Sequence, residues 1–563
     1  MPDSPVQQPM NQVPPLADYD LTAADPALLA GLASAGTTIT PALADLATAA
    51  GSAGIIEQAR LANIHPPVLH THDRSGQRID EVEFHPAWHT LMSRAVGAGL
   101  HGTPWAPGAG KHAHLQRAAG FYLWTQTESG HLCPISMTYA AVPVIRQHPE
   151  LATAYCPGLQ STAYDFGLRP ARSKVGLLAG MSMTEKQGGS DVRANTTTAT
   201  PVGGSATAAG EYRLNGHKWF TSAPMNDIFL TLAQAPGGLT CFLLPRVLPD
   251  GRRNSLRLMR LKDKMGNRSN ASAEVEYDDA IGRRIGDEGR GVATILQMVT
   301  MTRVDCVLGS AGQMRAALSE AACYAAHRWA FGRPLVEQQG MTAVLADLAV
   351  ESWASTLTAL RLGALVDRTA GFGVGTGVDP GDSATQDAAL LRLALPAAKF
   401  WVCKRAVPMI AEALECLGGN GYVENFPMAR LLRESPLNGI WEGSGTVSAL
   451  DAVRALDRSP ACADALLTEF SRAGGTHPAF DSSVTRLKSL LSADPDPASA
   501  RTVASLIARL FAAGLLLQHA PAEVAGIYCA TRLGDRGDRA FGDLPPGLRP
   551  ADVVAAVTPM ART

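Results

Sequence analysis

No two of the nine cysteines, at 133, 156, 241, 306, 323, 403, 416, 462 and 529, stand in a C-x-x-C pair. That excludes the common zinc ribbons and the thioredoxin-type redox motif. Several lie in apolar helical runs and read as reduced core thiols, as in a cytosolic (cytoplasmic) protein. Net charge is equally scarce. Forty-nine Lys and Arg face 51 Asp and Glu, so the whole molecule carries no basic field that would by itself demand nucleic acid or an acidic membrane. No apolar stretch of about 18 residues is free of charge, which argues against a membrane span. Residues 1–16 are rich in Pro and Gln and lack a basic n-region and an apolar h-region, so a secretory leader is not expected and a flexible arm is. His85 with His89, or His112 with His114, could pair on a metal, but no Cys or carboxylate spacing completes a ligand set, and no metal is expected. There is no internal repeat.

What the chain does have is length and a change of period. Its 563 residues exceed one hydrophobic core and predict two to four domains. After an arm over 1–39, residues 40–176 show apolar residues at three- and four-residue spacing, a helical domain. Over 177–286 the period becomes two: Glu211-Tyr-Arg-Leu runs into Asn215-Gly216, expected as a hairpin turn before Lys218-Trp-Phe-Thr221, and Thr240-Cys-Phe-Leu-Leu follows. Short strands with Gly-rich turns imply a β-barrel or sandwich. Over 287–455 the helical period returns in long segments, 291–329, 340–369 and 385–417, as in a four-helix bundle. Residues 456–563 add further helical runs at 484–491, 499–519 and 521–531.

Within this frame Glu442 stands out, in Asn438-Gly-Ile-Trp-Glu-Gly-Ser-Gly-Thr446. A carboxylate flanked by small residues suits abstraction of a substrate proton, because Gly443 and Gly445 let substrate and cofactor approach closely. On its own, such a Gly-rich loop is equally ordinary turn material.

Taken in order, a helical domain, a small β-domain and a helical bundle resemble the acyl-CoA dehydrogenase superfamily of FAD enzymes over residues 60 to 456. The resemblance implies a mainly α fold with a central β-barrel, a C-terminal four-helix bundle and an extra C-terminal helical domain. Met183-Thr-Glu-Lys-Gln-Gly-Gly-Ser-Asp-Val192 resembles the family's first flavin loop. There Thr184 would hydrogen-bond the isoalloxazine and Ser190 reach the pyrophosphate, with Met183 and Gly189 in the same contact. Lys218-Trp-Phe-Thr-Ser222 resembles the second, with Trp219 against the flavin face, Thr221 near N5 and Ser222 beside it. Arg328-Trp-Ala-Phe331-Gly332, followed by Gln339, is similar to the element that touches the FAD of a neighbouring subunit, and Gly418-Gly419-Asn-Gly-Tyr422 to the loop that lets the same FAD approach. Arg303 falls where the family lines its acyl-CoA site; an ion pair with Asp305 or Asp287 is the plainer reading. Glu442 then falls on the catalytic base position, with Trp441, Ser444 and Thr446 as flanking cofactor contacts. In that family the base removes the α-proton of an acyl-CoA thioester while the β-hydride passes to flavin.

Three strings, Thr184-Glu-Lys-Gln-Gly-Gly-Ser190, Leu261-Lys-Asp-Lys-Met-Gly-Asn-Arg-Ser-Asn-Ala-Ser272 and Ile440-Trp-Glu-Gly-Ser-Gly445, resemble the adaptive alkylation-response (AidB-like) branch. Membership implies a homotetramer (a dimer of dimers) and binding of double-stranded DNA through the C-terminal domain, with weak acyl-CoA turnover. The alternative is a metabolic short- or branched-chain acyl-CoA dehydrogenase without DNA binding. Charge does not press the first reading. Residues 456–563 hold eleven Lys or Arg and eleven Asp or Glu, whereas phosphate binding needs a concentrated basic face. Arg532, Arg536 and Arg539, or Arg486, Lys488, Arg501 and Arg509, are the candidates for such a face.

Overall fold

A computed structural model describes residues 11–204, 210–369, 381–492, 497–534 and 550–557. The stretch expected as a loose arm is corrected from its first described residues. Pro26–Ser34 is a helix, started by Pro at its first position and by the Asp25 carboxylate accepting from Leu28 N at 3.1 Å. Leu21, Leu28 and Leu32 are buried. Gly31 is required at the contact, because a Cβ there would stand 2.4 Å from Leu360 Cδ1. Helices Pro41–Ala50 and Ala53–Ile64 follow with Thr40 and Ser52 as caps. The region from 40 to 176 is not wholly helical. Val68–His72 and Arg78–Glu83 form an antiparallel hairpin around a turn in which Asp73 Oδ1 accepts from Ser75 N and Gln77 N. The signal was present in Asp73-Arg-Ser-Gly76, a turn sequence between two polar strands.

The central strands are Ala179–Ser182, Thr198–Pro201, Glu211–Ser222, Ile228–Ala235, Gly238–Pro245, Leu256–Leu261 and Ser272–Ile285. Glu211–Ser222 pairs with Thr198–Pro201, which pairs with Ile228–Ala235, then Gly238–Pro245, then Ser272–Ile285, which returns to Glu211–Ser222. The sheet therefore closes on itself as a small barrel. Asn215-Gly216 is not a hairpin turn but the middle of one 12-residue strand. Gly216 has φ 148°, the register against Ser272–Ile285 shifts beside it, and a Cβ there would meet Thr197 at 2.6 Å. It makes a bulge where another backbone comes close.

Helices Gly291–His327, Gln339–Thr369, Gly381–Glu415 and Gly445–Arg458 form the bundle. Among the described residues, Gly291–His327, Gln339–Thr369 and Pro497–His519 are long and apolar enough to cross a membrane, yet most of each apolar stretch is buried inside the protein. The C-terminal helices are not a separate body. Ala500–His519 and Pro460–Ser471 pack on Gly381–Glu415, and Pro550–Val557 packs on Gln339–Thr369, within one continuous apolar core.

Candidate active site

Glu442 has φ +58° and Gly443 φ +102°. A left-handed conformation at a non-glycine residue costs about 1–2 kcal/mol and persists where the surroundings impose it. Two buried cations impose it here. Arg303, on helix Gly291–His327, donates Nε to Glu442 O at 2.8 Å and Nη1 to Asp451 Oδ2 at 2.6 Å. Lys399, on Gly381–Glu415, donates Nζ to Gly443 O at 2.6 Å and to Asn438 O at 3.0 Å. Asn438 in turn accepts from Trp441 Nε1 at 2.9 Å. The intrahelical pairing of Arg303 with Asp305 or Asp287 is thus replaced by a bond across to helix Gly445–Arg458; Asp305 is taken by Arg117.

The cations grip backbone, which leaves the Glu442 side chain unneutralised. Its Oε2 is enclosed and has no hydrogen-bond partner among the described residues. Burial raises its carboxyl above the ordinary range, against the opposing pull of the Thr302 hydroxyl and the Lys399 and Arg303 charges. The Glu442 and Gly443 N–H groups likewise have no acceptor among the described residues. The carboxylate stands on a narrow slot of about 40 Å³ walled by Phe121, Leu132, Met137, Cys306 and Leu437. Next to it burial pushes the Cys133 thiol up to about 12. All nine cysteines are free and buried.

The two expected flavin loops, distant in sequence, are neighbours. Strand Ala179–Ser182 pairs with Glu211–Ser222 so that Met181 faces Ser222 and Ser182 faces Thr221. Thr221 Oγ1 and Ser182 Oγ lie 2.6 Å apart, and Trp219 N donates to Thr184 O at 2.8 Å. Met183 and Trp441 pack on the same apolar cluster, which ties these loops to that of Glu442. Gly189 is close-packed, since a Cβ there would stand 3.0 Å from Thr184 Oγ1 and Thr184 would have to shift. Lys262 Nζ covers one face of Trp219 at 3.3 Å from the ring centre. Hydroxyls, an indole and a glycine turn suit an isoalloxazine and a pyrophosphate. Ser444 stands extended at the start of helix Gly445–Arg458 without capping it, and Thr446 Oγ1 accepts from Arg501 at 3.1 Å.

The remaining predicted residues lie elsewhere. Arg328 donates to Asn11 O. Phe331, φ +52°, is the tip of a two-residue hairpin and 96% exposed. Gln339 begins the next helix. Gly418 and Gly419 face open space, with nothing within 4 Å of an added Cβ. Within one chain these residues do not join Glu442.

Sequence reasoning missed the braces. Lys399 announced itself only as a lone charge in the apolar run Leu393 to Val402. Glu185 and Lys218 form a buried pair at 2.8 Å, and Gln187 Nε2 donates to Glu185 Oε2 at 2.7 Å. The Lys186-Gln187 sequence therefore closes the first loop from within. In the C-terminal helices Arg532 is 4% exposed and bound to Asp347 at 2.6 Å and Glu351 at 2.9 Å, so it leaves the proposed basic face. Arg509 donates to Arg532 O, and Arg501 and Arg509 lie against the Phe400 and Trp401 rings. Arg536 and Arg539 lie outside the described residues. Arg486 and Lys488 are exposed.

Residues 11–166 match the family described as the adaptive response protein AidB N-terminal domain, 180–280 the acyl-CoA dehydrogenase middle domain and 289–456 the acyl-CoA dehydrogenase C-terminal domain. The chain is 43% identical over 529 residues to AidB of Escherichia coli (strain K12), covering 94% of each. It is 30% identical over 515 residues to acyl-CoA dehydrogenase family member 11 of Caenorhabditis elegans, covering 84% of this chain and 80% of that one. The crystal structure of Caenorhabditis elegans ACDH-11 in complex with C11-CoA superposes with TM-score 0.81 at 27% identity, over 96% of both chains. The chain therefore belongs to the AidB branch of the acyl-CoA dehydrogenase family, whose members are FAD-dependent oxidoreductases.

Proposed function

We propose that Glu442 takes the α-proton from an acyl-CoA thioester bound in the slot, in an acyl-CoA dehydrogenase-type reaction belonging to the alkylation response. The observation that carries this reading is the carboxylate with an enclosed, unpartnered oxygen on a loop gripped from two sides. A base poised above the ordinary carboxylate range and fixed before substrate arrives loses little to reorganisation. The free N–H groups of Glu442 and Gly443 would take charge developing on the thioester oxygen as the proton leaves. Met183, Thr184, Ser190, Trp219 and Thr221 would hold FAD, which would supply the acceptor for the β-hydride. Trp441 and the apolar slot walls exclude water from the carboxylate. Anaerobic addition of an acyl-CoA panel tests this. Bleaching of the yellow protein supports it, and a flavin that no thioester reduces rejects it.

A second activity, protective binding of duplex DNA, is favoured by the likeness to AidB over 94% of both chains. With Arg532 buried, the exposed Arg486 and Lys488 on helix Pro478–Ser492 are its candidate phosphate contacts in the C-terminal segment. Labelled duplex titrated against the intact protein at several salt concentrations tests it. Affinity that falls steeply with salt is the expected result; no binding at low salt rejects it. Assembly as a cytoplasmic homotetramer is part of the same proposal. The exposed Phe331 hairpin and the open Gly418-Gly419 loop would meet the flavin of a second copy, and light scattering measures the assembly.

A further inference from the structure

The slot that ends at Glu442 has an opposite end, and that end is polar. Helix Gly291–His327 lines it with Thr302, Cys306, Gly309 and Gln313, spaced by three or four residues and so on one face. From Thr302 to Gln313 is about 16 Å of helix axis at ~1.5 Å per residue. Gln313 Nε2 donates to Ser129 Oγ across the slot at 3.0 Å. Gln313 is 2% exposed, and its Oε1 has no hydrogen-bond partner among the described residues. Turning the amide over only exchanges the orphan, since the serine hydroxyl can then donate to Oε1 and leave the NH₂ free. Glu434 lines the same slot, with Oε1 accepting from Asn267 N at 2.7 Å.

Resting on the reading of Glu442 as the base, we propose that this slot selects acyl thioesters whose far end carries a hydroxyl, with Gln313 as the specificity-determining residue. A hydroxyl both donates and accepts, so it completes the Gln313 amide in either orientation. An alkyl end leaves a buried polar atom unpaired, which is unfavourable. A carboxylate end would face Glu434.

The test uses the full-length, FAD-loaded protein carrying Glu442→Gln, so that nothing turns over. Matched acyl-CoAs of four to twelve carbons, with and without a terminal hydroxyl, are titrated calorimetrically. At one chain length the hydroxylated member binds about tenfold tighter, and adding Gln313→Met, of similar volume, removes the difference. Equal affinities in the parent overturn the proposal and mean that a water completes Gln313; they do so even where Gln313→Met fails to fold. Flavin reduction by the native protein is scored separately. A hydroxyl preference without reduction leaves the slot assignment standing and rejects Glu442 as base. Binding of neither thioester rejects both.

Discussion

Glu442 and Glu351 are both carboxylates inside the protein, and their surroundings push them in opposite directions. At Glu351 the guanidiniums of Arg405 and Arg532 lie on the carboxylate itself, at 3.1 and 2.9 Å, and hold it down at about 2 despite burial. At Glu442 the cations bond elsewhere, Arg303 to Glu442 O and the Asp451 carboxylate and Lys399 to Asn438 O and Gly443 O, so burial wins and the carboxyl rises. A buried charge paired on its own atoms is architecture. A buried charge whose backbone alone is held is available for chemistry.

The comparison is sharpened most by Glu442→Gln, which keeps shape and removes the base. Flavin reduction by acyl-CoA falls about 10³-fold with unchanged flavin content; a smaller than tenfold loss breaks the contrast. Next comes Arg532→Ala, which removes the ion pair to Asp347 and one of the two guanidiniums on Glu351. Stability falls by about 3 kcal/mol in denaturant unfolding, and no loss would show that this network carries little. Third is Glu434, a second unneutralised carboxyl, raised to about 7 by burial and by Glu128. Its folded value exceeds the unfolded one. The stability it contributes is therefore complete below about pH 4.5 and is lost as pH rises through about 7. Glu434→Gln is expected to stabilise the protein at pH 8 by about 3 kcal/mol and to have no effect near pH 4.5; a pH-independent effect contradicts the role of burial. The smallest effect is expected from Lys399→Met. Loss of that positive charge moves the pH at which proton abstraction switches on upward, and Lys399→Arg restores it; an unmoved profile removes Lys399 from the account.

The sequence made the long elements legible, because their periodicity is carried by many residues at once. The bundle helices end within a few residues of the expected positions, as Gly291–His327 does against 291–329. Short-range signals misled where tertiary contact decided: Asn215-Gly216 spells a turn, but Thr197 packed on Gly216 makes it a bulge in a strand. At the site, motif strings pointed to Glu442 and both flavin loops. Lys399, Glu185 and Gln313 were invisible because each acts through a partner far along the chain, at Gly443, Lys218 and Ser129. Among the basic candidates Arg532 failed for the opposite reason. An arginine in a helical run gives no sign of whether it faces solvent or, like Arg532, two buried acids.

The central claim is that Glu442 exchanges a proton with the substrate α-carbon, and that step can be followed without any redox change. An acyl-CoA is incubated with the protein in D₂O and its α-position is followed by proton NMR. Enzyme-dependent loss of the α-proton signal is expected in the native protein, faster with rising pH through a value above the ordinary carboxylate range, and none in Glu442→Gln. Exchange that persists in Glu442→Gln would contradict it.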